Sequence, residues 1–538
     1  MAKRFGVMLD MSRNAVMKPE EVKKFITLLH GFGYNMLQLY TEDTYEVDGE
    51  PYFGYMRGRY SKEELRDIVT YCNSIGVEVI PCVQTLAHLM QIFRWGPYKP
   101  IRDTANILLA EEPRTYELIE NIFRTLRECF TTDLVHIGMD EAHMLGLGKY
   151  LDKHGYQNRF DILNKHLARV LEIAKRYGFK ALMWSDMYFR LANHDRYHTY
   201  DDVITKEITD AVPDGVDQVY WDYYSDDKKM YDSMLASHAK FKGETWFAGG
   251  VWTWCGFTPR NAWTLASMTP AMRSCRERGV ENIFMTMWGD NGKECSFHAV
   301  LPSLFAIRQI YDGVEDMDEI KRRFHEATGE SFDDMMLLDA PDLVGRNTQS
   351  NYQNSANPSK HMLYSDPFNG YLDPLVKEGV EAEYTDLTQA LTNAAAQSPH
   401  HAYLFRSQAA LCDLLSVKYA LGAKTRRAYD AGDKEALSAL LADYSLASER
   451  LEVFYRAFAA LWSTENKPQG FDVQELRLGG LALRLRSCRE RLADYVAGKI
   501  DSIPELEEKL LPYTNNPACL EGFATINNWN ENATVHAN

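Results

Sequence analysis

Asp140 and Glu141 stand side by side, directly after the apolar stretch 134–138. An adjacent acid pair is ordinarily a solvated surface feature. Behind an apolar, buried-looking strand it has another meaning. Alternate strand residues face opposite sides, so two neighbouring carboxylates reach one pocket only where the strand is ending. There, one acid can pass a proton while the other stabilises charge, and each opposes the other's ionisation. Gly138, two residues earlier, leaves room for another group to approach the strand end closely. A second pattern is aromatic. Seven of the ten tryptophans fall between Trp184 and Trp288. Aromatic faces mixed with carboxylates suit a sugar, which has apolar C–H faces and polar edges, although tryptophan serves core packing equally well.

Such residues need a frame, and the first part of the chain repeats one unit. Short apolar runs at 5–10, 35–40, 77–83, 134–138, 180–184, 217–221, 245–252 and 282–288 alternate with amphipathic patterns at 19–30, 61–74, 115–129, 161–177, 229–241, 262–278 and 296–311. Alternating strands and helices imply parallel pairing with right-handed crossovers. Eight units in about 310 residues predict an α/β fold, a (β/α)₈ TIM barrel over residues 1–315. An open doubly wound sheet would show a glycine-rich turn after its first strand; here that strand runs into Asp10-Met11-Ser12-Arg13. Residues 316–538 read as a mainly helical C-terminal domain, with helices near 375–396, 402–423, 434–461 and 473–498. The polar stretch 347–360 reads as a loop or linker, and no periodicity is visible from about residue 514. Barrel active sites lie at the C-terminal strand ends. The polar and aromatic residues there are Asp10, Arg13, Glu42, Asp43, His88, Asp140, Glu141, Trp184, Asp186, Tyr220, Trp221, Asp222, Trp252, Trp254, Trp288 and Asp290, with Glu294 a little further on.

Composition narrows the chemistry. A net charge of −17 over 538 residues, with no Lys/Arg run, argues against nucleic acid or an anionic membrane as partner. No apolar leader or spanning stretch is visible, and the nine cysteines contain no CxxC pair. The expectation is a cytoplasmic protein with reduced thiols. His136, Asp140 and His143 do not have zinc-site spacing, so neither a metal nor another cofactor is expected.

The stretch His136, Gly138, Asp140, Glu141 resembles the H-x-G-x-D-E signature of family 20 glycoside hydrolases, the β-N-acetylhexosaminidases. The resemblance covers roughly residues 1–315 and is closest to a compact branch lacking an N-terminal α/β domain. It implies an exo-acting enzyme that removes terminal β-linked N-acetylhexosamine from a small oligosaccharide or glycoconjugate. In that family the substrate's own 2-acetamido oxygen attacks the anomeric carbon, outside the usual two-carboxylate scheme. By resemblance, Glu141 is the general acid and then the base, and Asp140 holds the acetamido N–H. Arg13 binds the 3- and 4-hydroxyls. Tyr220 holds the acetamido oxygen, and Asp222 approaches the outer hydroxyls. Asp43 and His88 form a relay behind Glu141, while Trp184, Trp252, Trp254 and Trp288 line the sugar. The family's W-x-E acid after strand seven is missing from Trp252-Thr253-Trp254, which leaves Asp290 as its substitute. Two other readings stay open: a conventional two-carboxylate glycosidase using Asp222 or Asp290, and a catalytically silent sugar-binding protein.

Overall fold

The computed structural model describes residues 2–346 and 357–511. It contains a closed barrel of eight parallel strands in sequential order, with β1 also paired to β8. The barrel runs β1 (Arg4–Asp10), α1 (Pro19–Gly31), β2 (Met36–Thr41), α2 (Lys62–Ser74), β3 (Glu78–Val83), α3 (Pro113–Cys129), β4 (Leu134–His136), α4 (Lys149–His154), α5 (Arg159–Arg176) and β5 (Lys180–Trp184). It continues with α6 (Asp186–Ala192), α7 (Lys206–Ala211), β6 (Val216–Asp222), α8 (Lys228–His238), β7 (Thr245–Gly250), α9 (Asn261–Glu277), β8 (Asn282–Met287) and α10 (Leu301–Tyr311).

Local sequence explains these elements. Ser61 caps α2 in a reciprocal box with Glu64. Along α3, Leu118, Ile119, Ile122, Phe123 and Leu126 are buried, a spacing of three to four that turns one helical face inward. Parallel pairing keeps register partners on the same side of the sheet. Tyr40 pairs with Cys82, Cys82 with His136, His136 with Leu182, and Trp184 with Val219 and, across it, Trp246. Those residues fill the barrel interior, and their immediate chain neighbours face the helices.

The remaining helices are α11 (Met317–Thr328), α12 (Phe332–Met336), α13 (Pro358–Tyr364), α14 (Val380–Gln397), α15 (Ala402–Lys418), α16 (Leu421–Asp430), α17 (Lys434–Glu465), α18 (Phe471–Val496) and α19 (Pro504–Glu507). The stretch 347–360 was expected to be loop; its residues 347–356 lie outside the described ones, but α13 begins at Pro358. Proline is suited to a helix's first turn, where its missing N–H costs nothing. The expected helix at 402–423 is two helices, α15 and α16. The unpatterned tail from about 514 lies outside the described residues.

The chain divides into two compact units. The first comprises residues 1–251, 264–289 and 303–316, and the second 252–263, 290–302 and 317 onward. The second unit therefore includes the segments that follow β7 and β8. Its core is built along α17, where Leu437, Tyr444, Leu451, Phe454, Phe458 and Trp462 are buried. Among the described residues no helix is long and apolar enough to cross a membrane.

Candidate active site

The chain leaves β4 through an unusual turn. Gly138, Met139 and Glu141 all have positive φ, at 72°, 72° and 50°. The two non-glycine residues each cost about 1–3 kcal/mol in that region, so neighbouring groups must hold them there. Gln84, just past β3, supplies one clamp. Its Oε1 accepts the Met139 N–H at 3.2 Å, and its Nε2 donates to Asp140 Oδ1 at 2.8 Å and to the Tyr40 hydroxyl at 3.0 Å. Gly138 makes this approach possible, since a Cβ there would lie 2.1 Å from Gln84 Oε1. Asp186, at the start of α6, supplies the second clamp: its Oδ2 accepts the Glu141 N–H at 3.1 Å.

Charge is arranged around this turn. His88, itself at φ 56°, places Nε2 3.1 Å from Asp140 Oδ2 and 3.8 Å from Glu141 Oε2. Burial works against an imidazolium here, but the Asp140 carboxylate outweighs it and raises His88 to about 9. Burial likewise works to raise Asp140, yet His88 and the Gln84 amide hold it below the ordinary carboxylate range. The cost of crowding carboxylates shows at Asp186. Its complete burial, and then the charges of Asp140 and Glu141, push it up to about 7 against the pull of Arg190. Arg190 donates from Nε to Asp186 at 3.1 Å and lies 3.7 Å from Glu141 Oε1. The Glu141 side chain remains 40% exposed, whereas Asp186 is fully buried.

Other expected residues join this cluster. Arg13 is paired with Glu42 at 3.0 Å, and its guanidinium lies 5.8 Å from the Trp288 ring. Trp288 packs edge-on against Tyr40, with centroids 4.8 Å apart, and also lies near Trp184. Trp184 rests on His136 at 4.4 Å, and its indole N–H has no hydrogen-bond partner.

Seven residues are placed differently from the sequence reading. Asp43 is buried beside Arg57 at 3.3 Å, and no hydrogen bond or ion pair links it to His88. His88 lies closer to Asp140 than to Glu141. Tyr220 donates its hydroxyl to Asp222 at 2.8 Å and stacks on His238 of α8. Asp222 also accepts the N–H groups of Tyr224 and Ser225. The physical reason is register. Val219 and Trp221 share the interior parity of Trp184, so Tyr220 and Asp222 face the helices. Trp252, Trp254 and Asp290 belong to the second unit, where Trp252 and Trp254 are buried and stacked at 4.6 Å.

The sequence model described as "Glycosyl hydrolase family 20, catalytic domain" matches residues 4–231, and that described as "Glycoside Hydrolase 20C C-terminal domain" matches residues 333–524. The chain belongs to glycoside hydrolase family 20. Among relatives, it is 26% identical over 167 residues to a beta-hexosaminidase of Akkermansia muciniphila, covering 26% of this chain and 34% of that protein. It is 23% identical over 229 residues to hexosaminidase D of Homo sapiens, covering 41% and 45%. The chain thus aligns with less than half the length of either relative. A solved β-N-acetylhexosaminidase from Bacteroides fragilis superposes with a TM-score of 0.46 at 19% identity, over 60% of this chain and 69% of that one.

Three residues of this candidate site lie outside the sequence reading: Gln84, Arg190 and Tyr223. Asp186 was noted at its strand end but given no role. Gln84 and Tyr223 were reachable by counting, because Gln84 continues the inward series Ile80, Cys82 and Tyr223 continues Val219, Trp221. Tyr223 is buried, hydrogen-bonds Thr286 and the Trp288 indole, and lies within electrostatic reach of Asp140. Arg190 gave no signal, since its use depends on where α6 turns.

Proposed function

We propose that this chain is an exo-acting β-N-acetylhexosaminidase that hydrolyses terminal β-linked N-acetylglucosamine or N-acetylgalactosamine by a retaining, substrate-assisted route. The observation that carries the reading is the asymmetric acid pair. Asp140 is locked and anionic between Gln84 and His88, while the neighbouring Glu141 is partly open to solvent. A permanently charged acceptor suits an acetamido N–H that becomes positive as its carbonyl oxygen attacks the anomeric carbon. The exposed acid suits proton delivery to the departing oxygen, and proton removal from the water that opens the oxazoline-type intermediate. Arg13, oriented by Glu42, would fork onto vicinal hydroxyls. Tyr223, rather than Tyr220, has the facing to hold the acetamido oxygen. Trp184 and Trp288 would border the sugar. Eight buried, unpaired cysteines among the described residues support a reducing, cytoplasmic setting.

The test compares aryl β-N-acetylglucosaminides with the matching β-glucosides. Turnover of the first and near-inertness to the second is expected, with progressive slowing as the acetyl methyl is fluorinated. Equal turnover of both, or a covalent fluorosugar adduct on Asp222 or Asp290, would overturn substrate assistance. No turnover of either, with sugar binding retained, would make the chain a silent sugar-binding protein.

A further inference from the structure

Beyond the acid pair, the first unit carries an exposed aromatic group that the reaction itself does not use. Tyr52 and Tyr55, from the segment between β2 and α2, surround Trp95 from the segment between β3 and α3. Their centroids lie 5.7 Å and 5.3 Å from the Trp95 ring, and 6.0 Å from each other. Tyr52 is 42% exposed and Tyr55 39%, and Met56, the next residue in the chain, reaches 73%. A cluster of large apolar side chains left in water marks an interaction surface more often than chance.

This surface is rigid. Gly54 (φ 64°) packs its backbone onto the end of β2, where a Cβ would lie 2.0 Å from the Asp43 carbonyl oxygen. Arg57 bonds the Ser12 carbonyl and pairs with Asp43. Phe53 is buried between Tyr45 and Tyr98. The Tyr98 hydroxyl in turn donates to Glu50 at 3.0 Å, a carboxylate also held by Arg114 at 2.6 Å and Asn121 at 2.9 Å. The rings are therefore presented ready-made, and little ordering entropy would be lost on binding.

Their position indicates the occupant. Both segments emerge from the C-terminal strand ends, as Glu141 does. The segment that carries Trp95 also carries His88, seven residues earlier. Arg94, next to Trp95, lies within electrostatic reach of Asp43. We propose that Tyr52, Tyr55 and Trp95 form a stacking platform for the second and third sugars of a β-linked oligosaccharide whose terminal residue lies at Asp140–Glu141. Tyr and Trp faces carry the negative side of a ring quadrupole, which attracts the slightly positive C–H faces of a pyranose. The inference rests on the hydrolase reading and names the substrate class: a chain of sugars rather than a single sugar on a small aglycone.

The experiment uses the full chain, with Trp95→Ala, Trp95→Phe and Tyr52→Ala variants. Two substrates are compared: the β-1,4-linked trimer of N-acetylglucosamine and an aryl β-N-acetylglucosaminide. Trp95→Ala should raise KM for the trimer roughly three- to tenfold, leave the aryl substrate unchanged, and be largely rescued by Trp95→Phe. Unchanged trimer KM in both alanine variants overturns the platform, as does an equal loss on both substrates. Calorimetric binding of the trimer to Glu141→Gln, with and without Trp95→Ala, separates the two readings. If the wild-type chain hydrolyses neither substrate but trimer binding still depends on Trp95, the platform stands and the hydrolase reading falls. If the trimer binds equally well with and without Trp95, or does not bind the Glu141→Gln chain that keeps Trp95, the platform falls, and an apolar protein partner becomes the alternative occupant.

Discussion

Glu141 and Asp140 are chemical neighbours with opposite surroundings, and each should respond differently to loss of its charge. Glu141→Gln keeps the shape and removes the transferable proton. Turnover of substrates with poor leaving groups should fall roughly 10²–10⁴-fold, with a smaller loss for an aryl group that departs unaided. Steady-state kinetics on the two substrate types reads the difference, and equal small losses would remove Glu141 from the acid role. Asp186 bears on stability. Its folded carboxyl keeps a proton up to about pH 7, whereas an unfolded aspartate releases it near 3.8. A raised value stabilises the fold fully below the ordinary value, and that contribution is lost as pH rises through 7. Asp186→Asn can still accept the Glu141 N–H but does not titrate. Between pH 4 and pH 8 the difference in thermal midpoint should therefore shift in the variant's favour. A pH-independent difference would show that Asp186 does not hold the proton.

At the scale of elements, the turn after β4 is the part most sensitive to a single methyl group. Gly138→Ala demands a positive φ of an alanine and drives Gln84 away from Asp140 and Met139. A cost of about 1–3 kcal/mol in stability is expected, together with loss of activity. Wild-type turnover in Gly138→Ala would show that the Gln84 clamp is dispensable. The strands themselves were legible in the sequence, because eight apolar runs alternating with amphipathic ones have few other solutions. The acid pair was legible because it follows one of those runs. Tyr220 shows where that reading stops. Motif position brought it to the pocket, but facing depends on register, which is set by pairing with β5 and β7 rather than by local sequence. Asp186 and Arg190 were hidden for a related reason: a short helix starting at Asp186 folds both back toward Glu141. Helix α13 was hidden by composition, since a polar stretch resembles a linker until Pro358 is seen to open a helix.

At the scale of the molecule, the second unit contains a charge cluster built on a buried ion pair. Lys360 and Glu294 are each 1% exposed and 2.8 Å apart, and Arg477 lies 3.1 Å from the same Glu294 oxygen. Burial lowers Lys360 while Glu294 opposes that shift. Lys360→Met would take one of two cations from Glu294 and leave it with Arg477, at a cost of about 1–3 kcal/mol. Faster amide exchange in segments 290–302 and 357–364 than in the wild type is the expected readout. Unchanged exchange would mean that the pair contributes little.

The same unit is discontinuous in the chain, and this constrains how it can be made. Asn261 binds Asp339, Thr258 binds Asp342, the Phe257 carbonyl takes the Gln408 amide, and Glu294 waits for Lys360 and Arg477. Segments 252–263 and 290–302 thus leave the ribosome well before the residues that satisfy them. During that interval Trp252, Trp254, Phe257 and Trp263 lack part of their final packing, a state prone to aggregation. Such distant closures also slow the last stage of folding, because loop entropy is lost before the contacts form. A fragment ending at residue 316 would remain permanently in that interval. It should emerge from synthesis insoluble or chaperone-bound, so the shortest stretch that bears the acid pair would not be the shortest that survives in a cell.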